Sequence, residues 1–173
     1  KPIGSGILTT GIKKNLVEKN VSSNVINVMN TLNDYSSKII RKYSVNACTD
    51  VTGYGLLGHL NEMCKGSNLS AKIFFDDIPI IDQVIDLAKK DIIPGGSKKN
   101  LEFNTADIKF ENNFPQYKKL ILADAQTSGG LLISCPKSNS LKLLKELNLN
   151  SKKYKSVIIG EFSKKNNYNI TCE

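Results

Sequence analysis

The hydrophobic period of this chain switches between two and about 3.6 along its whole length, and no segment keeps one period for long. That alternation constrains the fold more than any single motif does. "IGSGILTTG" reads as a short strand leading into a turn. From Ser22-Ser23, both good N-cap types, Val25, Val28, Met29, Leu32, Tyr35, Ile39 and Ile40 recur at helical spacing over about four turns. "VNACTDV" reads as a brief strand, and Leu56, Leu57, Leu60, Met63 and Cys64 as an amphipathic helix that Gly66 can end. "LSAKIFF" alternates like a strand stopped by Asp76-Asp77, and Pro79 can open a helix carrying Ile81, Val84, Ile85 and Ala88. "IIPGGSKKN" reads as a Pro-Gly loop, "DIKFE" as a strand, and "FPQYKKLILA" as a short helix. "LLISC" follows as an apolar strand closed by Pro136, then a helix in "KSNSLKLLKEL", a strand in "KSVIIGEF" and a last edge strand in "NYNITC". This irregular order predicts an α+β or layered α/β/α domain with a mixed sheet. No repeat, low-complexity linker or second-domain boundary interrupts it, so residues 1–173 read as a single domain.

A chain of 173 residues has room for a real core, and 40% hydrophobic with 23% charged residues is the composition of a soluble globular protein. No apolar run approaches the roughly 20 residues needed to cross a bilayer, so no membrane partner is expected. The net charge of +8 raises the question of nucleic acid. Base reading and bidentate phosphate contacts favour arginine, however, and Arg41 is the single arginine here. The lysines are scattered in pairs, Lys13-Lys14, Lys89-Lys90, Lys98-Lys99, Lys118-Lys119, Lys152-Lys153 and Lys164-Lys165, which reads as a solvated surface. Cys48, Cys64, Cys135 and Cys172 lie far apart and His59 is the one histidine, so the close-set ligand pairs of structural zinc are missing. Four reduced thiols in an intracellular, cytoplasmic protein are expected. The chain opens "KPIG" without Met, as a piece of something longer would.

Three glycine-bearing loops can carry chemistry. In "TDVTGYGLLGH" Asp50 stands ahead of Gly53, Gly55 and Gly58 at a strand-to-helix junction, where backbone N–H groups favour an anion. The glycines spell G-x-G-x-x-G, and Asp76 lies near where a dinucleotide's ribose acid would sit, but Thr49–Thr52 is too polar for the first strand of such a fold. No Lys-Ser or Lys-Thr follows, so it is not a P-loop. Asp50 has two readings of equal standing: a turn cap, or a ligand to a hard cation that joins the carboxylate to phosphate oxygens. "PGGSKKN", Pro94 to Asn100, reads first as an exposed turn and second as an anion nest. "DAQTSGGLLIS" places the Thr127 and Ser128 hydroxyls beside Gly129 and Gly130, ahead of an apolar strand, which suits a phosphoryl or carboxylate group or a tight turn. His59 reads as a packing or capping residue.

"KPIGSGILTT", "MNTLN", "TDVTGYGLLGH", "IIPGGSKKN" and "DAQTSGGLLIS" together resemble, in order and spacing, the C-terminal half of selenophosphate synthetases (selenide, water dikinases). The likeness runs from Lys1 to about Gly160; Ala125 stands where the family usually has proline. The resemblance implies an enzyme using ATP, selenide and water to make selenophosphate, AMP and orthophosphate, for selenocysteine and selenium-modified tRNA. It implies a fold similar to aminoimidazole ribonucleotide synthetase, two domains per subunit, a homodimer, and for this chain the second domain, an α/β/α sandwich partly like a ferredoxin fold. The ATP-binding N-terminal domain, with the reactive Cys or selenocysteine and its lysine, would lie outside this sequence, leaving no catalytic residue in it. The resemblance further implies that Asp50 is a Mg2+ ligand and that Thr127, Ser128, Gly129 and Gly130 line the cleft near transferred phosphate; Gly53 and Gly55 are expected with them among the substrate-binding residues. The rival readings are another superfamily member, such as aminoimidazole ribonucleotide synthetase or a thiamine-phosphate kinase, a basic nucleic-acid module, and a nicotinamide-binding domain.

Overall fold

The computed structural model describes residues 1–149, 151 and 153–173; Asn150 and Lys152, and with Lys152 one half of the Lys152-Lys153 pair, lie outside the described residues. Helices α1 (Ser5–Lys13), α2 (Lys19–Asn30) and α3 (Asp34–Ile40) precede strand β1 (Ala47–Asp50). Helix α4 (Gly55–Ser67), strand β2 (Leu69–Ile73), helices α5 (Val84–Lys89) and α6 (Gly95–Asn104) and strand β3 (Ile108–Phe110) follow. Helix α7 (Gln116–Leu122), strand β4 (Leu131–Ser134), helix α8 (Lys137–Leu149) and strands β5 (Gly160–Lys164) and β6 (Ile170–Cys172) complete the order. The class is α+β with a mixed sheet, as the alternation of periods predicts.

The larger sheet runs β3-β6-β2-β5, with β6 parallel to both β2 and β3 and β5 antiparallel to β2. Its register sets Ala71, Ile170 and Ile108 in one row and Ile73, Cys172 and Phe110 in the next. Successive strand residues point to opposite faces, so these rows form one apolar face, against which α4 packs. Lys72, Lys109 and Thr171 occupy the other face, where Lys72 pairs with Glu173. The smaller sheet pairs β1 antiparallel with β4, from Ala47↔Ser134 to Asp50↔Leu131. This pairing positions the site: the end of β1 and the entry to β4 lie side by side, and Val51 N–H donates to the Gly130 carbonyl at 2.9 Å. A satellite cluster of Ile39, Leu143 and Leu147 ties α3 to α8 beside it.

Several sequence expectations are corrected, each by a contact remote in the chain. "GSGILTT" is helix α1, not a strand; the groups that cap its first turn come from residues 124 and 126. The long helix starts earlier, at Lys19, and divides at Thr31–Asn33, where Asn33 Nδ2 donates to the Gly129 carbonyl at 2.9 Å. Asn68 in the left-handed conformation, rather than Gly66, ends α4. The helix expected from Pro79 begins at Val84, after Gln83 with φ 64°. "PGGSKKN" is no exposed turn: Pro94 precedes the first turn of α6, and Ser97 is buried. The strand of "KSVIIGEF" forms later, at Gly160–Lys164, and the last strand is central instead of an edge, because it returns between β2 and β3.

Candidate functional site

Asp50 closes β1 with its side chain exposed beside an open groove of about 590 Å³. Leu32, Asn33, Asp34 and Ser37 line it on the α2–α3 side, and Cys48, Thr49 and Leu131 on the sheet side. Nearby, the Lys1 ammonium donates to the Thr31 carbonyl at 2.7 Å and to the Ser128 carbonyl. Burial pushes the Lys1 ammonium below its ordinary value, and the nearby Asp50 charge opposes that shift. The Lys1 cation and the exposed Asp50 carboxylate thus lie close enough to act on each other.

The loop Thr127–Gly130 runs directly into Leu131, which lines the groove, and each residue's backbone is tied to a different segment. Thr127 N–H donates to Ser5 Oγ at 3.0 Å, so that amide is taken, while the Thr127 and Ser128 side chains are exposed. The Ser128 carbonyl accepts from Lys1, that of Gly129 from Asn33, and that of Gly130 from Val51. At the start of α4, Gly55 adopts φ 71° and a Cβ there would stand 2.6 Å from the Ala123 carbonyl oxygen. Gly53 is exposed, a Cβ there would meet nothing within 4 Å, and its carbonyl accepts from Asn100 Nδ2 at 2.8 Å. Gly55 therefore answers to packing, and Gly53 faces open space.

Sequence reasoning missed the residues that join these loops. Asp124 is fully buried. Its Oδ2 accepts from Gly6 N–H at 3.0 Å, Ile7 N–H at 3.2 Å and Gln126 Nε2 at 3.0 Å, and its Oδ1 accepts from Ser97 Oγ at 2.8 Å. Burial pushes its carboxyl up to about 6, against the pull of these donors. Gln126 Oε1 accepts from Gly4 N–H, Ser5 N–H and Ser5 Oγ. The signal was available in the polar residues themselves, Asp124 and Gln126 standing just before an apolar strand, but their partners lie far off in the chain, at Gly4–Ile7 more than 100 residues away and at Ser97 in another helix.

The profile of the AIR synthase related protein C-terminal domain matches residues 16–173. The chain belongs to that family. It is 44% identical to a selenide, water dikinase of Aliarcobacter butzleri over 93% of this chain and 46% of the relative. It is 40% identical to one of Clostridioides difficile over 99% of this chain and 49% of the relative. The chain thus spans about half the length of the curated relatives it matches. Among solved structures, the hydrogenase maturation protein HypE of E. coli superposes with a TM-score of 0.62 at 14% identity, over 99% of this chain and 43% of that one. Thiamine monophosphate kinase of Aquifex aeolicus superposes with a TM-score of 0.57 at 15% identity, over 99% of this chain and 47% of that one. These two likenesses concern the fold.

Within this AIR synthase related domain the remaining candidates divide by chemistry. A hard cation that keeps waters and phosphate oxygens needs only one or two protein carboxylates, and Asp50, with Asp34 across the groove, fits that demand. No group of three or more His, Cys, Asp or Glu able to hold a metal by itself occurs among the described residues. All four cysteines are free thiols. Burial pushes Cys64 up to about 11 and Cys172 up to about 12, and burial together with the Asp50 charge raises Cys48. Thiols held protonated are poor nucleophiles. His59 is buried, its Nε2 3.2 Å from Thr52 Oγ1 and its Nδ1 3.2 Å from Glu62, a satisfied residue that steadies the turn into α4.

Proposed function

We propose that this chain is the C-terminal half of a selenide, water dikinase, a cytoplasmic enzyme making selenophosphate, AMP and orthophosphate from ATP, selenide and water for selenocysteine and selenium-modified tRNA. The observation that carries this reading is identity of 40–44% with selenide, water dikinases across nearly the whole chain. In this reading an N-terminal half binds most of the ATP, two full-length subunits form a homodimer, and neither nucleic acid nor membrane is a partner. Asp50 brings one carboxylate to Mg2+, which would neutralise phosphate charge. Asp50 itself orients that ion from the groove edge, while the Thr127 and Ser128 hydroxyls and the open space over Gly53 receive phosphate oxygens. Gly55, Gly129 and Gly130 shape the backbone around them.

In the full-length protein, Asp50→Asn is expected to lower selenide-dependent AMP formation by about a hundredfold or more while leaving the melting temperature unchanged. Near-normal turnover would remove Asp50 from the metal site. Aminoimidazole ribonucleotide synthetase and thiamine-phosphate kinase activities serve as the rival assays, because fold likeness alone does not separate these enzymes. Turnover of either rival substrate without selenide dependence would overturn the dikinase reading.

A further inference from the structure

We propose that Asp124 is a positioning residue: its buried carboxylate locks the segments Gly4–Gly6, Gly95–Ser97 and Thr127–Gly130 into one register, and so sets the loop that faces phosphate. The phosphate part of this inference rests on the dikinase reading above.

An ordinary helix cap needs one acceptor oxygen, which Ser, Thr, Asn or Asp supplies. Asp124 uses both of its oxygens, and they serve different elements. Oδ2 takes the Gly6 and Ile7 amides at the start of α1, and Oδ1 takes the Ser97 hydroxyl of α6. Two acceptors at a fixed angle on one planar group hold the two helix starts relative to each other. The Ser97 hydroxyl also accepts from Ala125 N–H at 3.1 Å, tying α6 to the loop that follows Asp124.

From the carboxylate the order passes to the phosphate-facing loop in two steps. Gln126 Nε2 donates to Asp124 Oδ2 and to the Asp124 carbonyl, which turns Gln126 Oε1 toward Gly4 and Ser5. Ser5 Oγ donates to Gln126 and accepts from Thr127 N–H. Among the described residues no buried side-chain nitrogen or oxygen lacks a partner. The network is therefore closed, with no polar atom aimed at a ligand, which marks its task as placement. A buried carboxylate costs free energy that a simple turn would not require, and the full set of donors offsets it.

The test uses the full-length enzyme, with hydrogen exchange and steady-state kinetics on Asp124→Ala, Asp124→Asn and Ser97→Ala. In Asp124→Ala, amide exchange across Thr127–Gly130 is expected to quicken about tenfold while α4 and β2 stay protected. Its kcat for selenide-dependent AMP formation should fall about 50-fold with the KM for ATP moving less than about threefold. Asp124→Asn keeps an oxygen for Gly6, Ile7 and Gln126, so its kcat should recover to within about tenfold of wild type. Ser97→Ala should lower kcat about fivefold without a large loss of melting temperature, which decides the matter if Asp124→Ala does not fold. Wild-type kcat in Ser97→Ala, or exchange that quickens evenly through α1 and α6 with kcat unchanged, would overturn the proposal and leave Asp124 a fold staple. If wild-type enzyme forms no AMP in response to selenide, the dikinase reading fails by itself, and the exchange pattern still decides the role of Asp124.

Discussion

Gly129 and Gly53 occupy loops of similar composition and answer to different constraints. A Cβ on Gly129 would run into the Val51 carbonyl oxygen, in the stretch where β1 meets β4, whereas one on Gly53 would meet nothing within 4 Å. Gly129→Ala is therefore expected to destabilise the chain by about 2 kcal/mol or more, and Gly53→Ala by less than about 0.5 kcal/mol, as read from urea midpoints. Equal effects would mean that the two loops are packed alike. Asp124 makes a second prediction at this scale, through pH. Its folded carboxyl lies at about 6, above the ordinary carboxylate value near 3.8, so the folded state binds the proton more tightly than the unfolded chain. Wild type should gain stability relative to Asp124→Asn as pH falls from about 7 to about 4, and lose that gain as pH rises through 6. Paired thermal melts over this range measure it, and a difference of opposite slope would show that the hydrogen bonds, not burial, control the group.

Among the elements, those whose signals are local were legible in the sequence. Helices α4, α7 and α8 carry their own apolar stripes, β2 its own alternation and β4 its own apolar run, so these five stand close to where they were expected. The errors share another cause. Helix α1 contains paired threonines and looks strand-like, yet Gln126 and Asp124 satisfy its leading amides from the far end of the sequence. The stripe of α2 continues unbroken into α3, yet the chain bends at Asn33 to reach the Gly129 carbonyl. Strand β6 carries no mark of being central, since β2 and β3 come to it from about 60 to 100 positions earlier. The same division holds at the site: the glycines and hydroxyls of the loops were visible, while Asp124, Gln126, Ser97, Lys1 and Asn33 emerge from tertiary contact. Gln126→Ala puts this to a test, because it strands the Gly4 and Ser5 amides and the Ser5 hydroxyl. A loss of about 2–3 kcal/mol is expected, with exchange rising first in α1. Unchanged protection of α1 would mean that its apolar packing alone forms the helix.

At the scale of the whole molecule, the proposed function makes the groove beside Asp50 one half of a site shared with another lobe. In that reading Asp50, Asp34 across the groove and the Thr127 and Ser128 hydroxyls of the neighbouring loop give only part of the site, and among the described residues no group of three or more His, Cys, Asp or Glu could hold the ion by itself. The 173-residue chain by itself should accordingly show a thermal shift of less than about 1 °C with millimolar Mg2+, with or without ATP. A large shift would point to a cation site formed within this chain alone. The most direct test of the shared site is a Mn2+ titration of the full-length enzyme with ATP, followed by electron paramagnetic resonance, comparing wild type with Asp50→Asn. The expected result is an apparent Mn2+ affinity weakened about tenfold or more in the variant, with AMP formation lost in parallel. Equal Mn2+ occupancy in both proteins, with turnover intact, would contradict it.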